Sequence, residues 1–231
     1  MPILTPTAAT GARSVPQEMT YVDPVHQVMP DERDEFLAET DLNGPFVADL
    51  LSDMLAHERC GAQLYRSLAG RTNSPILGKK YEHFGKETTE HVEILQQLVG
   101  RLGGDPMYVS PAARATTKAG TGLLESTFLL TGSVDLMTQE LVMLDAVLLA
   151  EAKDHANWSC LASLADSLPE GNVRTAFVEA VEHVEPQEDE HFGWASDMRC
   201  KLISAQATSR TMQVAGETAE KVIARIKRWL G

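Results

Sequence analysis

The chain has 231 residues, 43% of them hydrophobic and few aromatic, which is enough to bury one sizeable core, expected as a single domain. A formal charge of -13 and a pI near 4.9 repel a phosphate backbone, so nucleic acid is disfavoured as a partner and cations are favoured. The longest apolar runs, such as LVMLDAVLLA, are short and carry acids, and the N-terminus has no basic region followed by a continuous apolar stretch, so no membrane association or secretion is expected and the cytoplasm is the expected location.

Residues 1–43 contain Pro2, Pro6, Pro16, Pro24 and Pro30, poor apolar periodicity and the charged run DERDEF. They read as an extended N-terminal arm, ordered only where it lies on the rest of the protein or on a neighbour. Asn43, Gly44 and Pro45 open a first helix in cap-then-proline fashion, and it should run to about Ala69, where Gly70 stops it. Ser74 and Pro75 repeat the signal for a second helix, ended near Leu102 by Gly103, Gly104, Asp105 and Pro106. A long connection follows, with a short amphipathic helix expected around Leu123 to Leu130. A span of that length can run from one end of a helix pair to the other, making the helices on either side parallel neighbours.

Ser133 is the expected cap of a third long helix reaching about Leu168, and Pro169, Glu170, Gly171 and Asn172 make the turn into a fourth. No segment alternates with period two well enough to be a strand. Residues 44–204 therefore read as an all-α four-helix bundle with a long crossover between helices 2 and 3. Residues 205–231, with Val222, Ile226 and Trp229 on one face and basic residues near the end, read as a short C-terminal amphipathic helix. The three cysteines, Cys60, Cys160 and Cys200, are widely spaced and odd in number. They fit reduced thiols used as small packing residues, and exclude a C-x-x-C metal knuckle.

Acids and histidines occupy positions that these helices otherwise reserve for core. In the fourth helix the stripe Phe177, Val181, Val184 continues through Glu188 and His191 and resumes at Ala195, Met198 and Leu202. In the first, Leu51, Leu55, Glu58, Ala62 and Tyr65 form a stripe with Glu58 at its centre. In the third, Leu144, Leu148, Glu151, His155, Trp158 and Ala162 do the same, with His155 placed to add a ligand. In the second, Phe84, His91, Leu95 and Leu98 put His91 on the core face. His91 follows Glu58 by 33 residues and His191 follows Glu151 by 40, each suiting an antiparallel helix pair that brings both groups to one level and hinting at an internal duplication. Buried together, these acids cost several kcal/mol per ion unless cations compensate them. His26, His57, His83 and His183 lie off the stripes and are expected at the surface. Pro186, inside the fourth helix, should kink or bulge it just before Glu188.

This arrangement resembles the ferritin-like, rubrerythrin-like superfamily of di-metal carboxylate bundles, in which two helices each give a Glu and two others each give a Glu-x-x-His pair. The run EHVEILQQLVGRLGGDP is also similar to the end of a second helix in bacterial ferritin-like proteins. The resemblance assigns Glu58 and Glu151 to the single glutamates, Glu188 and His191 to the fourth-helix pair and His91 to the second-helix histidine. The residue three before His91 is Thr88, where the family has Glu. Glu87 is the candidate replacement, about 40° from His91 around the helix against about 60° for Thr88.

The ligand set is thus Glu58, Glu87, His91, Glu151, Glu188 and His191, with His155 as an addition, and the implied cofactors are two iron ions or, alternatively, two manganese ions. The implied activity is an oxidoreductase reacting with dioxygen or hydrogen peroxide, by ferrous iron oxidation or by peroxide removal under oxidative stress. The chain has no cysteine-rich electron-transfer module, so it is not expected to be a complete rubrerythrin. A homo-oligomer, a dimer first, is the expected state. The alternative is a degenerate bundle that serves as a scaffold or partner-binding protein without redox chemistry, with Thr88 as its main support.

Overall fold

In the computed structural model, residues 35–129 and 134–208 are described. Among them every regular element is a helix: α1 Gly44–Ala69, α2 Pro75–Arg101, α3 Pro111–Ser126, α4 Leu136–Ser167 and α5 Asn172–Thr208. None is long and apolar enough to cross a membrane. Most of the expected N-terminal arm, residues 1–34, and the expected C-terminal helix beyond 208 lie outside the described residues.

The helix starts follow from local chemistry. Asn43 accepts from the Phe46 backbone N–H at 3.3 Å and Ser74 accepts from that of Leu77 at 3.3 Å, each followed by a proline within the first two helical positions. α2 ends with Gly103 at φ +84°, where a left-handed residue lets the Gly104 N–H reach back to the Val99 carbonyl at 2.9 Å. That closure satisfies carbonyls the helix would otherwise leave unpaired.

Three expectations need correcting here. The connecting helix begins at Pro111, well before Leu123, because Ser110 and Pro111 repeat the start signal of α2, with Ser110 Oγ accepting from the Ala113 N–H at 3.0 Å. It has only Ala113 fully buried, and its large apolar residues, Leu123 and Leu124, come only near its end. Polar bonds tie its beginning to α1 instead: Ser52 Oγ donates to the Tyr108 carbonyl at 2.8 Å and accepts from the Ser110 N–H at 2.9 Å. Second, α4 is capped by Asp135, which accepts from the Thr138 N–H at 3.0 Å, while Ser133 lies outside the described residues. Third, the cysteines are not core: Cys60 is half-buried, and Cys160 and Cys200 are exposed. Cys60 does pack against α3, where a side chain at Gly120 would come within 2.7 Å of it. α5 runs unbroken through Pro186 and extends beyond the expected 204, to the last described residue, Thr208.

The four long helices share one interior. α1 packs on α2 and on α4, α5 packs on α4 and on α2, and α3 lies mainly on α1. Cross-contacts give the directions: Asp53 meets Lys153 while Thr72 meets Glu140, so α1 and α4 are antiparallel. Likewise Lys80 meets Glu190 while Arg101 meets Glu179, so α2 and α5 are antiparallel. α2 and α4, on either side of the long connection, thus run the same way but face each other across the interior, where the sequence suggested neighbours.

That interior has two apolar clusters. One gathers Leu51, Leu55, Leu95, Leu98, Trp158, Phe177 and Val184, with Phe36 and Leu37 packed on it from the described end of the arm. The other gathers Tyr65, Leu68, Tyr81, Phe84, Leu144, Val147 and Leu202. In each helix the residues between the two sets are polar, and burying polar groups there is tolerable only if they are satisfied.

Candidate metal centre

The layer between the clusters contains Glu58 on α1, His91 on α2, Glu151 on α4 and Glu188 with His191 on α5, none more than 3% exposed. Each sits about two helical turns from large core residues on the same face, so apolar packing on both sides fixes the depth of the side chain. Glu188 is central. His91 Nδ1 lies 2.9 Å from Glu188 Oε1 and 3.6 Å from Glu58 Oε2, and His191 Nδ1 lies 3.4 Å from Glu151 Oε2 and 3.7 Å from Glu188 Oε1. Two groups of potential ligand atoms result, Glu58–His91–Glu188 and Glu151–Glu188–His191, each within 4.8 Å and sharing Glu188.

The outward atoms of this cluster are held and the inward ones are not. Trp158 Nε1 donates to Glu58 Oε1 at 2.6 Å, and Tyr65 Oη donates to Glu151 Oε1 at 2.8 Å. His91 Nε2 donates to Gln187 Oε1 at 2.7 Å, and His191 Nε2 donates to Glu87 Oε2 at 3.0 Å. Facing one another, Glu58 Oε2, Glu151 Oε2, both Glu188 oxygens and the Nδ1 atoms of His91 and His191 have no hydrogen-bond partner. Such orphans are rare in a folded interior and call for an explanation such as a bound ion or water.

The partners cross between the two halves. Glu58 and Tyr65 on α1 correspond to Glu151 and Trp158 on α4, seven residues apart in each case, yet each acid takes the other helix's aromatic donor. Glu87, Thr88 and His91 on α2 correspond to Gln187, Glu188 and His191 on α5, and each histidine takes the other helix's residue. Residues 81–91 and 181–191 even share one burial pattern.

Electrostatics follows from this crowding. Burial pushes Glu188 up to about 7, with Glu151 and Glu58 adding to the rise and His91 opposing it. For His91 burial works downward, but Glu188 and Glu58 outweigh it and carry the ring up to about 10. His191 also rises, burial again being overcome, by Glu151, Glu188 and Glu87. Without cations, the cluster is therefore a place where protons are retained. Tyr65 is raised well above the usual phenol range by burial and by Glu151, which keeps it a donor.

Two expected ligands stand elsewhere. Glu87 is not among the mutually facing atoms; it bonds the far nitrogen of His191 and lies 3.6 Å from the exposed His83. His155 points away, with Nδ1 3.1 Å from Asp189 and its ring 5.4 Å from Phe192. The physical reason is the period of α4: its buried face steps through Leu144, Val147, Glu151, Asp154, Trp158, Leu161 and Ala165, by alternate threes and fours, and skips 155. Asp154 takes that place. It is 4% exposed with Oδ1 unpartnered, and burial together with Glu58, Glu188 and Glu151 raises it well above the carboxylate range. A step of three from Glu151 along the buried face arrives at Asp154.

His57 does not lie at the surface where the sequence places it. It is buried, with Nε2 3.0 Å from the Ala150 carbonyl and 4.0 Å from Asp154. His83 and His183 are exposed as expected, and His26 lies outside the described residues. Thr88 is buried and its hydroxyl donates to the Phe84 carbonyl at 2.9 Å, so its hydrogen is spent on its own helix and it brings the cluster no carboxylate. Compared with known proteins, the chain matches no family model, no curated protein and no solved structure.

Proposed function

We propose that this protein is a ferritin-like four-helix bundle, with residues 102–135 as the crossover, that holds a pair of iron or manganese ions and acts as an oxidoreductase on dioxygen or hydrogen peroxide. The observation that carries the reading is the inward set of unpartnered atoms on Glu58, His91, Glu151, Glu188 and His191. Two divalent cations match the negative charge of Glu58, Glu151, Glu188 and Asp154, and mixed carboxylate and imidazole donors suit iron or manganese. Glu58 with His91 would hold one ion, Glu151 with His191 the other, and Glu188 would reach both.

Paired ions of this kind supply two-electron exchange with an oxygen substrate. The protein's own groups do the rest. Trp158 and Tyr65 each fix one carboxylate oxygen and leave the other free, which sets the acids in place before any ion arrives. Gln187 and Glu87 keep the proton of each ring on Nε2, so that Nδ1 presents its lone pair inward. Phe84, its ring centre 4.0 Å from that of His191, covers the layer on one side, and Trp158 covers it near His91.

One observation favours a second reading. Thr88 denies α2 an inward carboxylate like Glu188 on α5, as a scaffold that has lost its chemistry would. Elemental analysis separates the two. Protein made in iron- or manganese-supplemented cells should carry close to two ions per chain, and Glu188→Ala should carry none. Metal-free wild-type protein from such cells would leave only the scaffold.

A further inference from the structure

The inward ligands of the two halves match, Glu58 with Glu151 and His91 with His191, but α1 and α4 differ in Tyr65 against Trp158 and Gly61 against Asp154, and α2 and α5 keep their acid at different positions. On α5 the acid is Glu188, turned inward, and the residue before it is the neutral Gln187. On α2 the inward position is the neutral Thr88 and the acid is Glu87, one position earlier. Because the partners cross, that displaced acid stands behind His191, its Oε2 3.0 Å from Nε2. His91 has only the amide oxygen of Gln187, at 2.7 Å.

We infer that Glu87 makes the two ion positions unequal, so that the one beside His191 fills first. This rests on the proposed metal centre and goes beyond it by assigning an order. Both positions share Glu188 and each has one further inward glutamate and one imidazole, so the inward donors do not distinguish them. The groups behind the rings do. An anionic acceptor on Nε2–H strengthens that bond and makes Nδ1 a better donor to a cation, whereas a neutral amide oxygen polarises the ring less. Partners of this kind change metal affinity by about 10- to 100-fold.

Asp154 is the one acid that could oppose this. Its nearest ring nitrogen is that of His57, at 4.0 Å, and it belongs to neither ligand group and forms no hydrogen bond to His91 or His191. Glu87 is a positioning residue, since it would act on the ion only through His191.

The test uses metal-free full-length protein crystallised with half an equivalent of Mn(II), with anomalous scattering to locate the ion. Wild-type protein should show density beside His191. The exchange Glu87→Gln with Gln187→Glu keeps total charge and shape, and should move the density beside His91. Calorimetric titration with Mn(II) should show the tighter wild-type step weakened about tenfold or more by Glu87→Gln alone, with Asp154→Asn leaving the tighter step in place. Equal density at both positions, or first filling beside His91 in the wild type, overturns the inference while leaving the metal centre standing. Density at neither position overturns both. Circular dichroism of the exchanged variant checks the fold, and Glu87 is partly exposed, so Glu87→Gln alone serves if the pair misfolds.

Discussion

Glu140 and Glu188 are both buried acids on the inner faces of long helices, at 0% and 1% exposure, yet their surroundings differ completely. Glu140, near the start of α4, accepts from Thr72 Oγ1 at 2.8 Å and from the Asn73 N–H at 2.7 Å, and so ties the turn between α1 and α2 to the opposite pair. Glu188 has no such donor on either oxygen and instead faces Glu58, Glu151 and the equally unpartnered Nδ1 atoms of His91 and His191. Burial raises both carboxyls and a partner pulls each back, Thr72 and Asn73 at Glu140 and His91 at Glu188, but only at Glu188 do neighbouring acids, Glu151 and Glu58, push further up. A buried acid is therefore no sign of chemistry by itself. What separates a structural carboxylate from a candidate ligand is whether its oxygens are already used.

That contrast breaks most visibly by mutation. Glu188→Ala should abolish binding at both ion positions, measured as metal content after gel filtration, and should destabilise the metal-free protein less than Glu140→Ala does, because the strain that Glu151 and Glu58 place on Glu188 offsets the loss of its contact with His91. Glu140→Ala should do the reverse. It should leave metal content unchanged and destabilise the fold by about 3 kcal/mol in denaturant titration, since two donors lose a charged acceptor.

The pH dependence sharpens the comparison. Glu188 is raised from 4.5 to about 7, so its contribution in the metal-free protein is full below 4.5 and is lost as pH rises through 7. His91 is raised from 6.5 to about 10, so its contribution is full below 6.5 and is lost as pH rises through 10. Metal-free protein should therefore lose stability steadily over that whole range in melts, and Glu188→Gln should flatten the lower part of the decline. Bound cations replace those protons, so metal-loaded protein should not share it. The smallest effect is expected at Lys80, whose bond to Glu190 at 2.6 Å joins α2 to α5 at the surface. Lys80→Ala should cost no more than about 0.5 kcal/mol and leave metal content unchanged.

Much of this was legible in the sequence because the helix starts carry a cap followed by proline, and because Glu58, His91, Glu151, Glu188 and His191 interrupt apolar stripes where only core residues belong. α3 was partly hidden: PAARATTKAG has too few large apolar residues to show a period, and polar bonds to α1 hold its beginning. Asp154 is not on the sequence-derived α4 stripe because that stripe steps by four and then three from Leu144, through Leu148, Glu151 and His155, whereas the buried face steps by three and then four, through Val147, Glu151 and Asp154. The crossing of partners was not legible at all. Sequence shows that Glu87 precedes His91 by one turn, but only the packing of α2 against α5 shows that it serves His191.

The most direct test of the central claim, that the inward atoms of this layer are completed by cations, is the thermal unfolding of chelator-treated protein with and without added Mn(II). Ligand binding at about 100 times the dissociation constant stabilises by about 2.7 kcal/mol, which for a chain of this size is a rise in Tm of about 5 to 10 °C. The account predicts a rise of that order in the wild type and none in Glu188→Ala. An unchanged wild-type Tm across millimolar Mn(II) and, under anaerobic conditions, Fe(II) would contradict it.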